Sequence, residues 1–280
     1  MTKTVVITGA GSGFGRAIAF RLSEAGMRVI ATTEVYAQVS TLKAEMRERG
    51  LDFQVEKLDV TDANDREKVL QWDVDVLLNN VGVSEGGAVV DIPLTNVQRQ
   101  FDVNVFGPLA LTQLVAKQMM KKRSGKIIFM SSVAGLTVDP FTGAYSASKH
   151  AVEAFAEALY KEMKEYNVAV ATINPGPFFT GFNDRMFETY KGWEPQHNEF
   201  NYDALAFPHE QYKIHPVVET TVNVVLGKET SYRNVEPKEI IAEQQHQLQA
   251  IWSRNYTEDL GERDPLVQTA YDMKPETKKP

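Results

Sequence analysis

A run of glycines connects a short apolar segment to a helical segment near the start of the chain. Residues 4–8 are Thr-Val-Val-Ile-Thr, which predicts a buried strand, and the sequence GAGSGFG follows at residues 9–15. Residues 16–25 have helical periodicity and end at Gly26, and a second apolar run spans residues 27–33. In such a strand–turn–helix–strand unit, backbone N–H groups and the helix N-terminus face a pyrophosphate. The unit therefore predicts a dinucleotide-binding site.

Further apolar runs alternate with helical patterns through the first two thirds of the chain. The pattern predicts strands at residues 4–8, 28–32, 53–58, 74–79, 126–131 and 168–173. Helical patterns lie between them, for example at residues 109–122 and 151–166. This alternation predicts an α/β fold with a Rossmann-like, doubly wound parallel sheet. Ligands bind such sheets outside the carboxyl ends of the strands, so polar residues that directly follow strands are the candidate site residues.

Tyr145 and Lys149 lie four residues apart, just ahead of an apolar-periodic segment that predicts a helix. Residues at this spacing share one face of a helix. A free tyrosine has a pKa of about 10 and is a poor base at neutral pH, but a neighbouring ammonium group lowers the pKa of a phenol. The pair is therefore a candidate proton-transfer device, and the other interpretation of the same spacing is a solvated helix face.

Several motifs occur in a fixed order along the chain. The glycines at 9, 13 and 15 form G-x-x-x-G-x-G rather than the commoner G-x-G-x-x-G, and Tyr145 and Lys149 form Tyr-x-x-x-Lys. Between and beyond them lie Asp59-Val60, Asn79-Asn80-Val81-Gly82, Asn104, Ser132 and Asn174-Pro175-Gly176-Pro177. From Thr4 to about Thr180 the chain resembles the short-chain dehydrogenase/reductase family in its classical form. It departs from the family at Val81, where the family usually has Ala.

The resemblance implies an NAD(P)-dependent oxidoreductase that transfers a hydride between a nicotinamide and a secondary alcohol or ketone. It implies Tyr145 as the general acid/base and Ser132 as the group that hydrogen-bonds the substrate oxygen. Lys149 would lower the pKa of Tyr145 and bind the nicotinamide ribose, and Asn104 would hold a water that links Lys149 to solvent. Two alternatives stay open on the same fold: a catalytically idle dinucleotide-binding regulator, and an isomerase or epimerase.

The cofactor is expected along the edge of the sheet where these motifs follow the strands. The expected contacts are Gly9, Ser12, Gly13, Phe14, Gly15, Thr33, Glu34, Asp59, Val60, Asn80, Val81, Gly82, Tyr145, Lys149, Pro175, Gly176, Phe178 and Thr180.

NAD is favoured over NADP by the residues after the second strand. Thr33 stands where the family usually has Asp, and Glu34 stands where NADP-preferring relatives often have Arg. A carboxylate at this place repels a 2′-phosphate. In the alternative interpretation Glu34 points to solvent, and Thr33 permits either cofactor.

Residues 177–215 are expected to form a lid over the substrate. The segment contains ten aromatic residues among prolines, asparagines and charged residues, namely Phe178, Phe179, Phe182, Phe187, Tyr190, Trp193, Phe200, Tyr202, Phe207 and Tyr212. An aromatic lid suits an apolar or aromatic alcohol or ketone and excludes water during hydride transfer. The alternative is ordinary packing or a contact between subunits.

One domain is expected over residues 1–280. A cofactor-binding and catalytic core would span residues 1–176, the lid would follow, and a divergent C-terminal extension would span residues 236–280, with residues 274–280 frayed. The chain is 43% apolar, enough to bury one large core, and no internal repeat or Ser/Pro-rich linker divides it.

The composition argues against several classes of protein. A net charge of −7 argues against a nucleic-acid surface, and no apolar run approaches the 18 residues typical of a transmembrane helix. The first strand begins too early to leave room for a signal peptide. The absence of cysteine excludes disulfides and thiol catalysis and is compatible with a cytoplasmic location.

Metal binding is not expected, because the histidines form no cluster with metal-ligand spacing. The five are His150, His197, His209, His215 and His246. The expected partner is a small molecule, with neither nucleic acid nor membrane, and the family resemblance implies a homodimer or homotetramer.

Overall fold

Seven parallel strands form one sheet in the computed structural model, which describes residues 2–193 and 199–273. The strands are β1 (Thr4–Ile7), β2 (Arg28–Thr33), β3 (Gln54–Lys57), β4 (Val76–Asn79), β5 (Gly125–Met130), β6 (Val168–Pro175) and β7 (Arg233–Glu236). Their order across the sheet is β3-β2-β1-β4-β5-β6-β7, and every neighbouring pair is parallel. The predicted Rossmann-like α/β fold is confirmed.

Helices cover both faces of this sheet. They are α1 (Gly13–Glu24), α2 (Tyr36–Glu48), α3 (Ala63–Glu67), α4 (Leu94–Phe101), α5 (Gly107–Lys122), α6 (Gly143–Glu162), α7 (Phe182–Met186), α8 (His215–Leu226), α9 (Ile241–Ala250) and α10 (Pro265–Asp272). Alternate strand residues enter opposite cores, since Val5 and Ile7 pack with α1, α2 and α8, whereas Val6 packs with α5 and α6. A sheet buried on both faces explains why its strands are continuous apolar runs.

The helix that contains Tyr145 and Lys149 begins earlier than the apolar pattern predicts. The pattern starts at residue 151, but α6 starts at Gly143 and includes both residues. Its first turns contain Ser146 and Ser148, which are fully buried and hydrogen-bonded. Buried polar side chains do not follow the apolar period, so the pattern alone places the start of the helix too late.

Strand β7 is absent from the sequence prediction. Its sequence, Arg-Asn-Val-Glu, has neither an apolar run nor a strict alternation. It pairs with the end of β6, where Asn174 lies opposite Val235 and Pro175 opposite Glu236. Tertiary pairing therefore forms this strand despite its polar sequence.

The C-terminal extension contains α9 and α10, and α10 packs against residues 177–215, the expected lid. The amide of Ala206 donates to the carbonyl of Ala270 over 2.8 Å, and Ala270 is fully buried. The residues predicted to fray, 274–280, lie outside the described part of the chain. Of the helices described, none combines the length and apolar character needed to cross a membrane.

Candidate active site

A cavity of about 640 Å³ opens at the carboxyl edge of the sheet. Its walls contain residues that directly follow β1, β2, β3, β4, β5 and β6, together with residues from the lid and from α9. The edge predicted from the motif positions is therefore the edge at which the structure places the cavity.

The glycine turn forms one end of this cavity. Gly9 and Gly13 have φ angles of +66° and +54°, which favour glycine, and α1 begins at Gly13. Gly15, an expected contact, does not line the cavity. A Cβ atom there would lie 2.6 Å from the carbonyl oxygen of Gly9, so this glycine lets α1 approach the turn closely. Ser12 precedes the helix and makes no side-chain capping bond. The helix N-terminus, whose N–H groups attract anions, therefore lies at a turn that lines the cavity.

Thr8 and Asn80 hold the glycine turn against β4. The Thr8 hydroxyl accepts hydrogen bonds from the backbone N–H groups of Asn80 and Val81 over 3.0 and 3.1 Å. The side-chain amide of Asn80 donates to the carbonyls of Thr8 and Gly9 over 3.0 and 3.1 Å. Asn80, Val81 and Gly82, which are expected cofactor contacts, all line the cavity, and the side-chain amide of Asn80 holds the glycine turn.

The ends of β2 and β3 meet at the same cavity wall. Glu34 is exposed and lines the cavity, whereas Thr33 is fully buried and its hydroxyl donates to the carbonyl of Val35 over 3.3 Å. The structure therefore does not bring Thr33 to the site. Gln38, in the first turn of α2, lies beside Gly11 in the wall. Gln38 is not among the predicted contacts, because it lies in a helix and does not directly follow a strand.

Asp59 and Val60 also line the cavity, as do Pro175, Gly176, Phe178 and Thr180. The Asp59 carboxylate accepts hydrogen bonds from the backbone and hydroxyl of Thr61 over 2.9 and 2.7 Å. Phe14 and Phe178 pack edge to face, with ring centroids 5.7 Å apart, and form an apolar wall next to the glycine turn.

Ser132, Tyr145 and Lys149 meet in the cavity wall beyond β5. The Ser132 hydroxyl accepts from the backbone N–H of Ala134 over 3.1 Å and donates to the carbonyl of Pro175 over 3.3 Å. Lys149 is 4% exposed, and its ammonium group donates to the carbonyl of Met130 over 2.9 Å. It lies 5.8 Å from the centroid of the Tyr145 ring. The phenol, the hydroxyl and the ammonium predicted from the sequence are therefore assembled at one place.

Burial dominates the ionisation of this pair. It raises the pKa of Tyr145 to about 12, and a hydrogen bond with Ser132 opposes that rise without cancelling it. Burial also lowers the pKa of Lys149 to about 8, although the negative charge of Glu153 opposes the fall. The spacing of Tyr145 and Lys149 predicts a lowered phenol pKa, and the structure differs because the cost of burying a phenolate exceeds the attraction of the ammonium group.

Asn104 lies behind the cavity wall rather than in it. It belongs to a π-helical turn, Asp102–Phe106, between α4 and α5, and such turns are frequent at functional sites. Its side-chain oxygen accepts from the N–H of Val83 over 2.8 Å, and its amide donates to the carbonyl of Val83 and to the Ser148 hydroxyl over 2.9 and 3.0 Å. These bonds join the loop after β4 to α6 one residue before Lys149.

The aromatic residues of the lid have two roles, and Phe182 and Phe207 have both. Most of them pack into a third core cluster with Phe141 and Ala270, and Tyr202 is fixed there by a 2.7 Å hydrogen bond to Asp91. Four line the cavity, namely Phe178, Phe182, Phe207 and Tyr212. The ring of Phe182 packs edge to face against Tyr145, with centroids 5.6 Å apart. Both interpretations from the sequence, cavity wall and ordinary packing, therefore describe part of the segment.

Part of the cavity wall is polar. His209 and Asp139 share a 2.8 Å hydrogen bond, and the hydroxyl of Thr137 donates to Gln244 of α9 over 2.6 Å. Burial is the largest single influence on His209 and would lower its pKa, but the hydrogen bond to Asp139 and the negative charges of Asp139 and Glu243 together raise it. No group of His, Asp and Glu able to hold a metal ion occurs among the described residues, and His197 lies outside them.

Comparison with known proteins identifies the family. The family model described as short chain dehydrogenase matches residues 3–191, more than half of the chain. This chain belongs to the short-chain dehydrogenase family. The family membership that the glycine turn and Tyr-x-x-x-Lys predicted is therefore confirmed.

Relatives in this short-chain dehydrogenase family cover the chain to different extents. Dehydrogenase/reductase SDR family member 7B of Xenopus tropicalis is 38% identical over 61% of this chain, which spans 60% of that relative. Diacetyl reductase [(S)-acetoin forming] of Staphylococcus epidermidis is 34% identical over 67% of this chain and 76% of that protein. A short chain dehydrogenase/reductase from Burkholderia phymatum, solved in complex with NAD, superposes with a TM-score of 0.78 at 25% identity, covering 92% of this chain and 98% of that one.

Proposed function

We propose that this chain is a nicotinamide-dependent oxidoreductase that interconverts a secondary alcohol and a ketone. The observation that supports this proposal is the meeting of Ser132, Tyr145 and Lys149 in a cavity whose other end is a glycine turn at a helix N-terminus. Ser132, Tyr145 and Lys149 are groups that can support proton transfer at an oxygen atom, and the glycine turn can bind a pyrophosphate. The B. phymatum relative solved with NAD supports the same assignment.

The residues of the cavity fit a nicotinamide dinucleotide. The α1 N-terminus and the glycine turn would hold the pyrophosphate, Glu34 and Asp59 would face the adenosine end, and Lys149 would bind the nicotinamide ribose. When bound, the nicotinamide supplies or accepts the hydride.

The protein's part in the reaction is to move one proton and to hold one oxygen. Tyr145 gives its proton to the oxygen of a ketone, or takes the proton of an alcohol, while the Ser132 hydroxyl donates a hydrogen bond to that same oxygen. Both side chains are about 9% exposed, so little water surrounds the reacting oxygen. Lys149 favours the phenolate by its charge, and Asn104 fixes the adjoining turn of α6 through Ser148.

The substrate is proposed to have an apolar or aromatic body. Phe182 and Phe207 of the lid and Met186 of α7 line the cavity, and Phe182 contacts the Tyr145 ring directly. Apolar side chains at this place bind an apolar substituent and keep water away from the hydride. The Asp139–His209 pair leaves one polar wall for a hydrogen-bonding substituent.

NAD is the proposed cofactor. Glu34, Gln38 and Asp59 line the wall after β2 and β3, and none of them has a positive charge that would bind a 2′-phosphate. The nearby Arg16 forms a 2.6 Å ion pair with Glu45.

Replacing Glu34 with arginine tests the cofactor assignment. We expect Glu34→Arg to improve kcat/KM with NADP relative to NAD by about fivefold, because a repulsive charge becomes an attractive one; the exposure of Glu34 keeps the effect modest. The measurement is kcat/KM for both cofactors in wild type and variant. Glu48→Arg, also exposed and at the far end of α2, is the control and should leave the ratio unchanged. A wild type that already prefers NADP would contradict the assignment.

A substrate screen tests the proposed activity itself. Secondary alcohols with NAD and NADP, and ketones with the reduced cofactors, are incubated with the protein and followed by the absorbance of reduced nicotinamide. We expect turnover with aromatic or long-chain apolar compounds before small polar ones. Cofactor binding without turnover of any compound would favour a catalytically idle binding protein instead.

A further inference from the structure

Glu153 is a buried carboxylate that the proposed reaction does not use. It lies on α6 one helical turn beyond Lys149 and is 7% exposed. Its two oxygens have different partners: Oε1 accepts from the amide of Asn174 over 2.6 Å, and Oε2 accepts from the guanidinium of Arg233 over 2.9 Å. Removing a carboxylate from water is costly, so a carboxylate held here by two strong donors has a defined position.

The bond to Asn174 connects Glu153 to the backbone of Ser132. The same amide nitrogen of Asn174 donates to the carbonyl of Ser132 over 3.1 Å, and the oxygen of Asn174 accepts from the Thr172 hydroxyl over 3.0 Å. All of these groups are buried. The carboxylate therefore helps to fix the end of β5 at the residue that would bind the substrate oxygen.

Charge connects Glu153 to Lys149. The ammonium group of Lys149 donates to a neutral acceptor, the carbonyl of Met130, and forms no ion pair with any described residue. Residues four apart on a helix are close enough for their charges to interact, and the negative charge of Glu153 opposes the loss of the Lys149 proton that burial favours.

The other charged and titratable groups near Glu153 come from β7, from the residue before it and from α6 itself. Arg233 of β7 neutralises part of its charge, and the phenol of Tyr232 lies close enough for Glu153 to raise its pKa, with burial as the larger cause. Glu157, one turn further along α6, is exposed and forms an ion pair with Lys161 over 2.5 Å. Arg233 is therefore the charge that sets how strongly Glu153 acts on Lys149.

We propose that Glu153 is a positioning residue of the active site, which fixes the backbone of Ser132 through Asn174 and provides the counter-charge of Lys149, with Arg233 tuning that charge. The proposal rests on the proposed function, because Lys149 is expected to bind the nicotinamide ribose. It names no new contact with the cofactor or substrate.

The test measures the binding of NADH as a function of pH by its fluorescence. In the wild type, affinity should fall as pH rises through the pKa of Lys149, about 8, because the attraction of the ammonium group for the anionic dinucleotide is lost. In Glu153→Gln the fall should begin at lower pH. We expect affinity about three- to tenfold weaker than wild type at pH 8 and within about twofold at pH 6, where Lys149 is protonated in both proteins.

Two further variants separate this role from a structural one. Arg233→Gln should shift the fall in affinity to higher pH, because Glu153 then has one counter-ion fewer and interacts more strongly with Lys149. Glu157→Gln, which removes an exposed carboxylate from the same helix, should leave the profile unchanged. Opposite shifts in two variants of one ion pair are not produced by a general loss of stability.

Each outcome decides between the proposals. NADH that binds with the same pH profile in wild type, Glu153→Gln and Arg233→Gln would overturn the role of Glu153. If Glu153→Gln does not fold, the Arg233→Gln profile decides alone, and an unshifted profile overturns the role. A wild type that binds neither NADH nor NADPH at any pH would contradict the proposed function instead.

Discussion

Replacing Tyr145 with phenylalanine is expected to slow hydride transfer by at least about a hundredfold, the usual scale for losing a general acid/base. The substitution keeps the aromatic ring and therefore its edge-to-face contact with Phe182. It removes the one hydroxyl that can give a proton to the substrate oxygen or take one from it. Ser132 cannot replace it, because a serine hydroxyl at neutral pH gives up its proton far less readily than a phenol.

Single-turnover kinetics and cofactor binding together test this expectation. Hydride transfer is followed by the absorbance of reduced nicotinamide, and NADH affinity by fluorescence; the first should fall steeply and the second should stay within about twofold. Tyr160→Phe is the matched control, since Tyr160 lies on the same helix but packs against Tyr232, away from the cavity. Near-normal turnover in Tyr145→Phe would exclude the phenol as the acid/base.

Much of the fold and much of the cavity wall depend on local sequence, and these parts could be predicted. Residues after parallel strands all reach one edge of a sheet, so the strand pattern alone brings Gly9, Asn80 and Ser132 together. Thr33 is an exception, because it belongs to the strand itself and does not reach the cavity. Strand β2 extends through Thr33, one residue further than predicted, and the side chain enters the core while Glu34 takes the place at the cavity.

Features that depend on packing between distant segments could not be predicted. Which aromatic residues of the lid are buried depends on a cluster with Phe141 and Ala270, which are far away in sequence, and two members of that cluster, Phe182 and Phe207, also line the cavity. The Glu153–Arg233 pair likewise joins residues eighty positions apart, and Arg233 belongs to a strand that has no apolar pattern. Hydrophobic periodicity indicates local secondary structure and gives no information about contacts between such distant residues.

The ionisation of Tyr145 depends on burial as well as on spacing. The four-residue spacing correctly indicates that Lys149 shares a helix face with Tyr145. It does not indicate that both side chains are almost fully buried, or that the ammonium group turns toward the carbonyl of Met130. Burial disfavours the charged form of each group, so it raises the pKa of Tyr145 to about 12 and lowers the pKa of Lys149 to about 8.

Removing the charge of Lys149 should therefore have a large effect on alcohol oxidation. Oxidation needs Tyr145 as the phenolate, so its rate rises with pH as the phenol ionises. Lys149→Met keeps an apolar stem of similar length but leaves the buried phenolate without a neighbouring cation. The rising limb of the rate should move to higher pH, and below that limb the rate should fall about tenfold for each pH unit by which the limb moves.

The measurement is kcat/KM for alcohol oxidation between pH 6 and 8, where Lys149, with a pKa of about 8, still carries its charge in the wild type, and with the cofactor near saturation. Saturation is needed because Lys149→Met should also weaken cofactor binding through the lost ribose contact. At pH 7, where Lys149 is charged in the wild type, we expect oxidation to fall by about a hundredfold or more, the combined scale of a lost charge and a displaced general base. Lys161→Met, on the exposed side of the same helix, should leave both the rate and the profile unchanged. If the limb of Lys149→Met coincides with that of wild type, the ionisation of Tyr145 does not depend on Lys149, and burial together with Ser132 would have to account for the pKa of the phenol.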